Sequence, residues 1–390
     1  MYNENSYDIV CPYCFKRFTD YRTLFVDSKR SIDTLYSEYA EYVKYFLGIE
    51  SPGMRKMPVL FTKDINDGTQ DKYSAVTESG DITFTRACPY CCNLLPASAG
   101  KVKTFSIAVI GADDANRSFY IASVLHKLNR EMQSRFAASF MPADHKTAVT
   151  FYEQYDEPLY ASHIVPEAMG SIVPLIYDFR KTGSQSPEEW KGSEVHFNRA
   201  LVYIYNINKD LCDRYPMIAY TALSQVSALV FVSDFSRTAG GGDSVSDPWL
   251  GYLTDTINRI YGSMTAEIPT AIVLDRSDKA KVSDRKWGAW LKSYSSKVPE
   301  KVFPEKYYSR LNTKISAVLR KECPSFSSAV SALFAPENTM FFPVRAAFER
   351  HDDRSTDICD STDTETSFLW LMSKLRLIGD DSVQTLRLKK

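Results

Sequence analysis

Apolar positions along this chain fall into short dense runs separated by amphipathic stretches. TFSIAVIGA from Thr104, PLIYDF, ALVYIYNI, ALVFVSD, TAIVLD and TMFFPV each read as a buried strand, because aliphatic and aromatic residues are nearly continuous in them. Between most of them the spacing becomes helical. FYIASVLHKLNREMQSRF, starting at Phe119, predicts a helix directly after the first run. Strands alternating with helices predict an α/β layered sheet. The stretch 172–206 holds two successive strands with a polar piece between them, which predicts a hairpin and hence one antiparallel edge strand on a mostly parallel sheet.

The first 100 residues follow another rule. Leu35, Tyr39, Tyr42 and Phe46 lie at helical spacing in SIDTLYSEYAEYVKYFLGI, so a helix is expected there, stopped by Ser51-Pro52-Gly53. Short β-rich pieces, MPVLFT and DITFT, follow. At the other end, His351 to Ser367 carries six acidic residues against one basic and reads as a solvated linker. SFLWLMSKLRLI then predicts an amphipathic helix, with Phe368, Leu371, Met372 and Leu375 on one face. Thr238 to Val245, with three consecutive glycines, predicts a surface loop. The expected division is 1–100 with an insert at 32–81, an α/β domain at 101–350, a linker at 351–366, and a C-terminal helix and tail at 367–390.

Composition narrows the classes. The chain has 390 residues, 44% of them hydrophobic, and a net charge of -1, so no global attraction to nucleic acid is expected. No apolar run is long enough to span a bilayer, and the N-terminus lacks the basic start and apolar core of a signal peptide. A cytoplasmic protein is expected, in which eight cysteines are thiols or metal ligands rather than disulfides.

Four of those cysteines stand in two identical CPYC turns, Cys11 and Cys14 in VCPYCFKRF and Cys88 and Cys91 in ACPYCCNLL. A C-x-x-C turn brings two thiolates onto one ion, and a structural zinc takes four tetrahedral ligands. Pro12 and Pro89 restrict the turns in advance. The expected ligands of one structural zinc are Cys11, Cys14, Cys88 and Cys91; Cys92 competes with Cys91, which keeps the spacing of the first pair.

FSIAVIGADDANRSFYIASVL has the strand–Gly–helix order of a phosphate-binding loop. The full pattern, G-x-x-x-x-G-K-[ST], uses backbone N–H groups and a Lys to cradle phosphates and a hydroxyl to hold magnesium. Here its positions fall on Gly111, Asn116, Arg117 and Ser118. Asp113 and Asp114 would face a polyphosphate of about three to four negative charges, which costs energy.

With these residues the chain resembles bacterial TRAFAC-class GTPases that carry an N-terminal zinc ribbon. The likeness rests on Cys11 to Phe15, Cys88 to Cys91, Arg117-Ser118-Phe119-Tyr120-Ile121-Ala122, and the order of PLIYDF, ALVYIYNI, ALVFVSD, AIVLDRSD, FFPVRAA and FLWLM. It implies an α/β P-loop NTPase three-layer sandwich with a mostly parallel sheet. It also shows what is missing. Phe151 to Lys181 contains no switch Thr, and Ala168 stands near its expected place. YIYNINKD offers Asn206 and Lys209 where D-x-x-G is expected. The base-reading motif is Asp275-Arg276-Ser277-Asp278, in which Asp278 keeps the carboxylate that pairs with guanine and Arg276 could stack on the base. Arg345-Ala346-Ala347 replaces the last motif. A shifted alignment would bring Ser162, Ser171 or Asp178 to magnesium instead.

Three functions follow as expectations. The first is a pseudo-GTPase that acts as scaffold or sensor with other proteins of a bacterial system, in the conflict or anti-phage setting that the resemblance implies; GTP and magnesium are then not held in the family manner. The second is a GTP-hydrolysing switch with atypical motifs. The third, nucleic-acid binding through the ribbon, is disfavoured by the net charge.

Overall fold

In a computed structural model, residues 7–35, 54–64, 69, 71–111, 114–166, 173–191, 194–238, 251, 258, 267–295, 299–344, 348–350, 356–358 and 364–381 are described. Seven strands form the central sheet: β1 (Lys103–Gly111), β2 (Ala138–Pro142), β3 (Leu175–Lys181), β4 (Arg199–Asn206), β5 (Ala228–Asp234), β6 (Thr270–Asp275) and β7 (Thr339–Pro343). Their order is β7-β6-β5-β1-β4-β3-β2. All pairings from β4 through β1 and β5 to β7 are parallel. Strands β1, β4, β5 and β6 are almost wholly buried, as strands covered on both faces must be.

The hairpin predicted within 172–206 is present, with Leu175 opposite Ile204 and Arg180 opposite Arg199. Its antiparallel strand β3 is not the edge, however. Beyond it lies β2, only five residues long, antiparallel to β3 and therefore running with the rest. Ala138 and Phe140 are its buried positions, too few to stand out as a strand in the sequence.

Helix α1 (Asp114–Phe136) follows β1 at once. Every residue from Asn116 to Leu125 is buried, so the start of this helix is enclosed on all sides rather than half-solvated. One cover is the segment after helix α2 (His145–Phe151), a π-helix at Tyr152–Ala161. Another is the C-terminal helix α3 (Thr364–Lys374), packed between α1 and strands β5 and β6.

Helix α3 corrects the expectation of an amphipathic helix. All its residues from Thr364 to Ser373 are buried, not one face of them. The polar start is tolerated because Glu365 meets Lys127 at 3.2 Å and Arg135 at 3.3 Å, both from α1. An acidic residue assigned to a solvated linker is thus an interior ion-pair member, and the helix begins at Thr364 instead of 367. Within the same stretch, Thr356–Ile358 pairs antiparallel with Phe348–Arg350, so a strand occupies part of it.

The N-terminal insert also differs from expectation. Leu24–Leu35 is one long strand, paired antiparallel with Met54–Thr62 and interrupted between Asp27 and Ser31. Leu35, placed on a helix by its spacing, therefore ends a strand, where cross-strand pairing to Met54 satisfies its backbone. Tyr39, Tyr42, Phe46, the glycines at 240–242, Ala168, Ser171 and Arg345-Ala346-Ala347 lie outside the described residues.

Candidate functional site

The two CPYC turns are built alike. Phe15 N donates to Cys11 O at 3.0 Å, and Cys92 N donates to Cys88 O at 3.0 Å. Both donors have left-handed backbone, φ 58° and 59°. In each turn an N–H also points at the first sulfur, Tyr13 N to Cys11 Sγ at 3.5 Å and Tyr90 N to Cys88 Sγ at 3.4 Å. Such donors stabilise thiolate charge. Cys92 is thus the counterpart of Phe15, one step past the ligand turn.

The four remaining sulfurs meet. Cys11 and Cys91 are 3.6 Å apart, as are Cys14 and Cys88, and all four Sγ atoms lie within 4.8 Å of one another. A tetrahedral ion with bonds of about 2.3 Å to sulfur requires sulfur–sulfur edges of roughly 3.8 Å. These four cysteines could therefore hold a metal ion, and the donor set suits zinc. Asn93 Nδ2 adds a further donor to Cys91 Sγ at 3.4 Å, the kind of outer contact that orients ligands.

The first turn rests on the sheet. Tyr205 of β4 donates from its hydroxyl to Pro12 O at 3.1 Å, and its ring lies 5.5 Å from that of Phe15. Burial pushes the Tyr205 pKa well above its ordinary value, so the donor stays protonated. Alternation along β4 sends the next residue, Asn206, to the opposite face.

There Asn206 meets the start of α1. Gly111 ends β1 at φ +93°, and a Cβ there would stand 2.2 Å from Val232 O, so only glycine fits. Arg117 is fully buried. Its Nη1 donates to Gly111 O at 2.9 Å and its Nε to Asn206 Oδ1 at 2.5 Å. Asn206 Nδ2 donates in turn to Tyr155 Oη at 3.2 Å and Ser118 Oγ at 3.5 Å. Burial raises the Tyr155 pKa, while the Asn206 hydrogen bond and the Arg117 charge lower it in part. Arg117, Asn206, Ser118 and Tyr155 form one closed polar cluster at the carboxyl ends of β1 and β4. This is the place in an open α/β sheet, beside a reversal of strand order, where ligands ordinarily bind.

The neighbouring positions are engaged as well. Asn116, also buried, accepts from Arg276 Nη2 at 3.4 Å. Arg276, which the sequence offered as a base-stacking residue, lies 3.7 Å from Asp234 Oδ2 and 4.0 Å from Asp275 Oδ2. Asp278 is exposed in the turn after β6. Asp113 is outside the described residues; Asp114 opens α1. The substitute magnesium ligands fall elsewhere. Ser162 donates to Glu157, and Asp178 pairs with Arg199 at the opposite end of β4 from Asn206. Sequence reasoning missed Tyr155 and Tyr205. The first had no signal; the second was visible only as the alternation of Tyr203, Tyr205 against Ile204, Asn206.

No family model and no curated protein matches the chain. Among solved structures, the chain is similar to the conserved domain of the dynein light intermediate chain, with 11% identity over 74% of this chain and 92% of that chain. The TM-score is 0.19, a value at which the likeness carries no argument. Among the described residues, no helix is long and apolar enough to cross a membrane.

Proposed function

We propose that this chain is a GTPase-like protein without phosphoryl-transfer chemistry, held together near its N-terminus by one structural zinc on Cys11, Cys14, Cys88 and Cys91. Its role is that of a scaffold or sensor among the proteins of a bacterial system, the setting that the TRAFAC resemblance suggests. The main support is the burial of Arg117. A loop lysine must extend its charge toward phosphate oxygens, whereas this guanidinium points into the protein and is committed to Gly111 O and Asn206 Oδ1. Ser118, the residue aligned with the magnesium hydroxyl, is fully buried beside Asn206. Phosphoryl transfer depends almost wholly on positioned charge and metal, and the engagement of Arg117 and Ser118 with Asn206 supports their absence from such a role.

The sulfur spacing and the four-cysteine donor set, which favours zinc over harder cations, support this part of the reading. A scaffold role gains support from Ile82, Phe84 and Leu94, large apolar residues left exposed on the metal-bearing segment. GTP titration by calorimetry, paired with a phosphate-release assay, tests the loss of chemistry. Analysis of bound metal tests the zinc.

A further inference from the structure

A pocket of about 250 Å³ opens at the other end of the central sheet, where β1 and β4 begin and β3 ends. Its walls include Lys101, Arg180, Ser186, Asn198 and Arg199. Arg199 is the first residue of β4 and Asn206 the last, so at a strand rise of about 3.3 Å per residue the pocket lies roughly 23 Å from the Arg117 cluster. It is a separate place.

Charge is unbalanced there. Arg180 and Arg199 stand directly opposite each other across β3 and β4, an arrangement that like charges normally disfavour. A single carboxylate serves both: Asp178 lies 2.8 Å from Arg199 Nη2 and 3.5 Å from Arg180 Nη2. Lys101 brings a third cation. Its ammonium sits 4.5 Å from the centre of the Tyr73 ring, and among the described residues it makes no ion pair. Burial, then repulsion from Arg86 and, more weakly, Arg199, lowers its pKa against a partial opposing effect of Asp71. With Arg86 and Asp71 counted beside Lys101, Arg180, Arg199 and Asp178, four cations stand against two anions, a surplus of about two positive charges for a ligand to neutralise.

Asn198 adds a second, independent feature. It is buried, only 4% exposed, and its Nδ2 donates to Ser186 O at 3.4 Å. Its Oδ1 has no hydrogen-bond partner among the described residues. A buried acceptor left in this state is costly unless something donates to it.

We propose that this pocket binds a small phosphomonoester, whose dianionic phosphate meets Lys101, Arg180 and Arg199 and whose hydroxyl donates to Asn198 Oδ1. The volume lies below the roughly 300–1,000 Å³ of drug-sized sites, so the ligand is a phosphorylated sugar or smaller, not a nucleotide. Guanidinium forks suit phosphate oxygens.

Calorimetric titration of the full chain with ribose 5-phosphate, ribose and inorganic phosphate tests this. Ribose 5-phosphate should bind with a Kd below about 1 mM, inorganic phosphate at least roughly tenfold more weakly, and ribose not measurably. Lys101→Met and Arg180→Gln should each weaken the ester roughly tenfold or more. Arg180 has a 56% exposed side chain, so its variant should keep the wild-type melting temperature and carry the test even if Lys101→Met melts early. No heat from ribose 5-phosphate at about 5 mM would overturn the proposal. So would folded variants that bind like the wild type, or inorganic phosphate binding as tightly as the ester, which would leave Asn198 without a role.

Discussion

Arg117 Nε stands 2.5 Å from Asn206 Oδ1, linking the first turn of the helix after β1 to the last residue of β4. The contact holds a buried cation at the carboxyl ends of β1 and β4. Asn206→Ala removes that acceptor and also the donor to Tyr155 and Ser118. A buried group left unpartnered costs about 1–3 kcal/mol, more when charged. Urea unfolding should therefore show Asn206→Ala destabilised by about 2–4 kcal/mol. A midpoint unchanged from wild type would mean that the cluster contributes nothing to the fold.

Protein purified without added metal should contain close to one equivalent of zinc by elemental analysis. Cys11→Ser with Cys14→Ser should lose it and loosen the N-terminal segment, because metal affinity and folding are coupled in such sites. Cys92→Ser should keep the metal, since Cys92 occupies the position of Phe15 in the other turn. Loss of zinc from Cys92→Ser alone would reassign the ligands.

Removal of the C-terminal helix should be severe. Phe368, Leu369, Trp370, Leu371 and Met372 are each at most 1% exposed. At about 1.5–3 kcal/mol per large apolar side chain, their burial contributes roughly 8–15 kcal/mol before ordering costs. That matches the net stability of a typical domain. A chain ending before Thr364 should be insoluble or unfolded by circular dichroism; Trp370→Ala should cost about 3–5 kcal/mol and remain folded. A truncated chain that melts like the full one would show the helix to be dispensable.

His196 predicts a pH dependence. Burial first, and then Lys191 and Lys181, hold its pKa below the ordinary 6.5. A base with a depressed folded pKa binds its proton more readily when unfolded, so its stability contribution is whole above about 6.5 and declines as pH falls toward the folded value. Between pH 7 and 5 the wild-type melting temperature should fall further than that of His196→Leu. Parallel curves would remove His196 from the account.

The sequence carried the sheet well, because β1, β3, β4, β5, β6 and β7 are long apolar runs whose burial is local information. It carried the cysteine cluster too, since each C-x-x-C turn by itself brings two thiols together. It did not carry β2, whose two inward residues are too few to show periodicity. Nor did it carry the burial of Glu365, which depends on Lys127 and Arg135 arriving from a helix more than 200 residues away. Arg117 was visible as a departure from the loop pattern; that its side chain turns inward depends on Asn206 and is tertiary information.

Titration of the full chain with GTP and magnesium, followed by phosphate release under the same conditions, tests the central claim most directly. With Arg117 and Ser118 held by Asn206, and with Asp113 and Asp114 adding two acidic residues to the loop sequence, the Kd should be weaker than roughly 100 µM, or less than about 5.5 kcal/mol of binding. Hydrolysis should not exceed the uncatalysed background, and whatever affinity survives should favour guanine through Asp278. Changing Asp113 and Asp114 to Gly should tighten binding without restoring turnover. Micromolar GTP binding with turnover in the wild type would contradict the account and make the chain a working GTP switch.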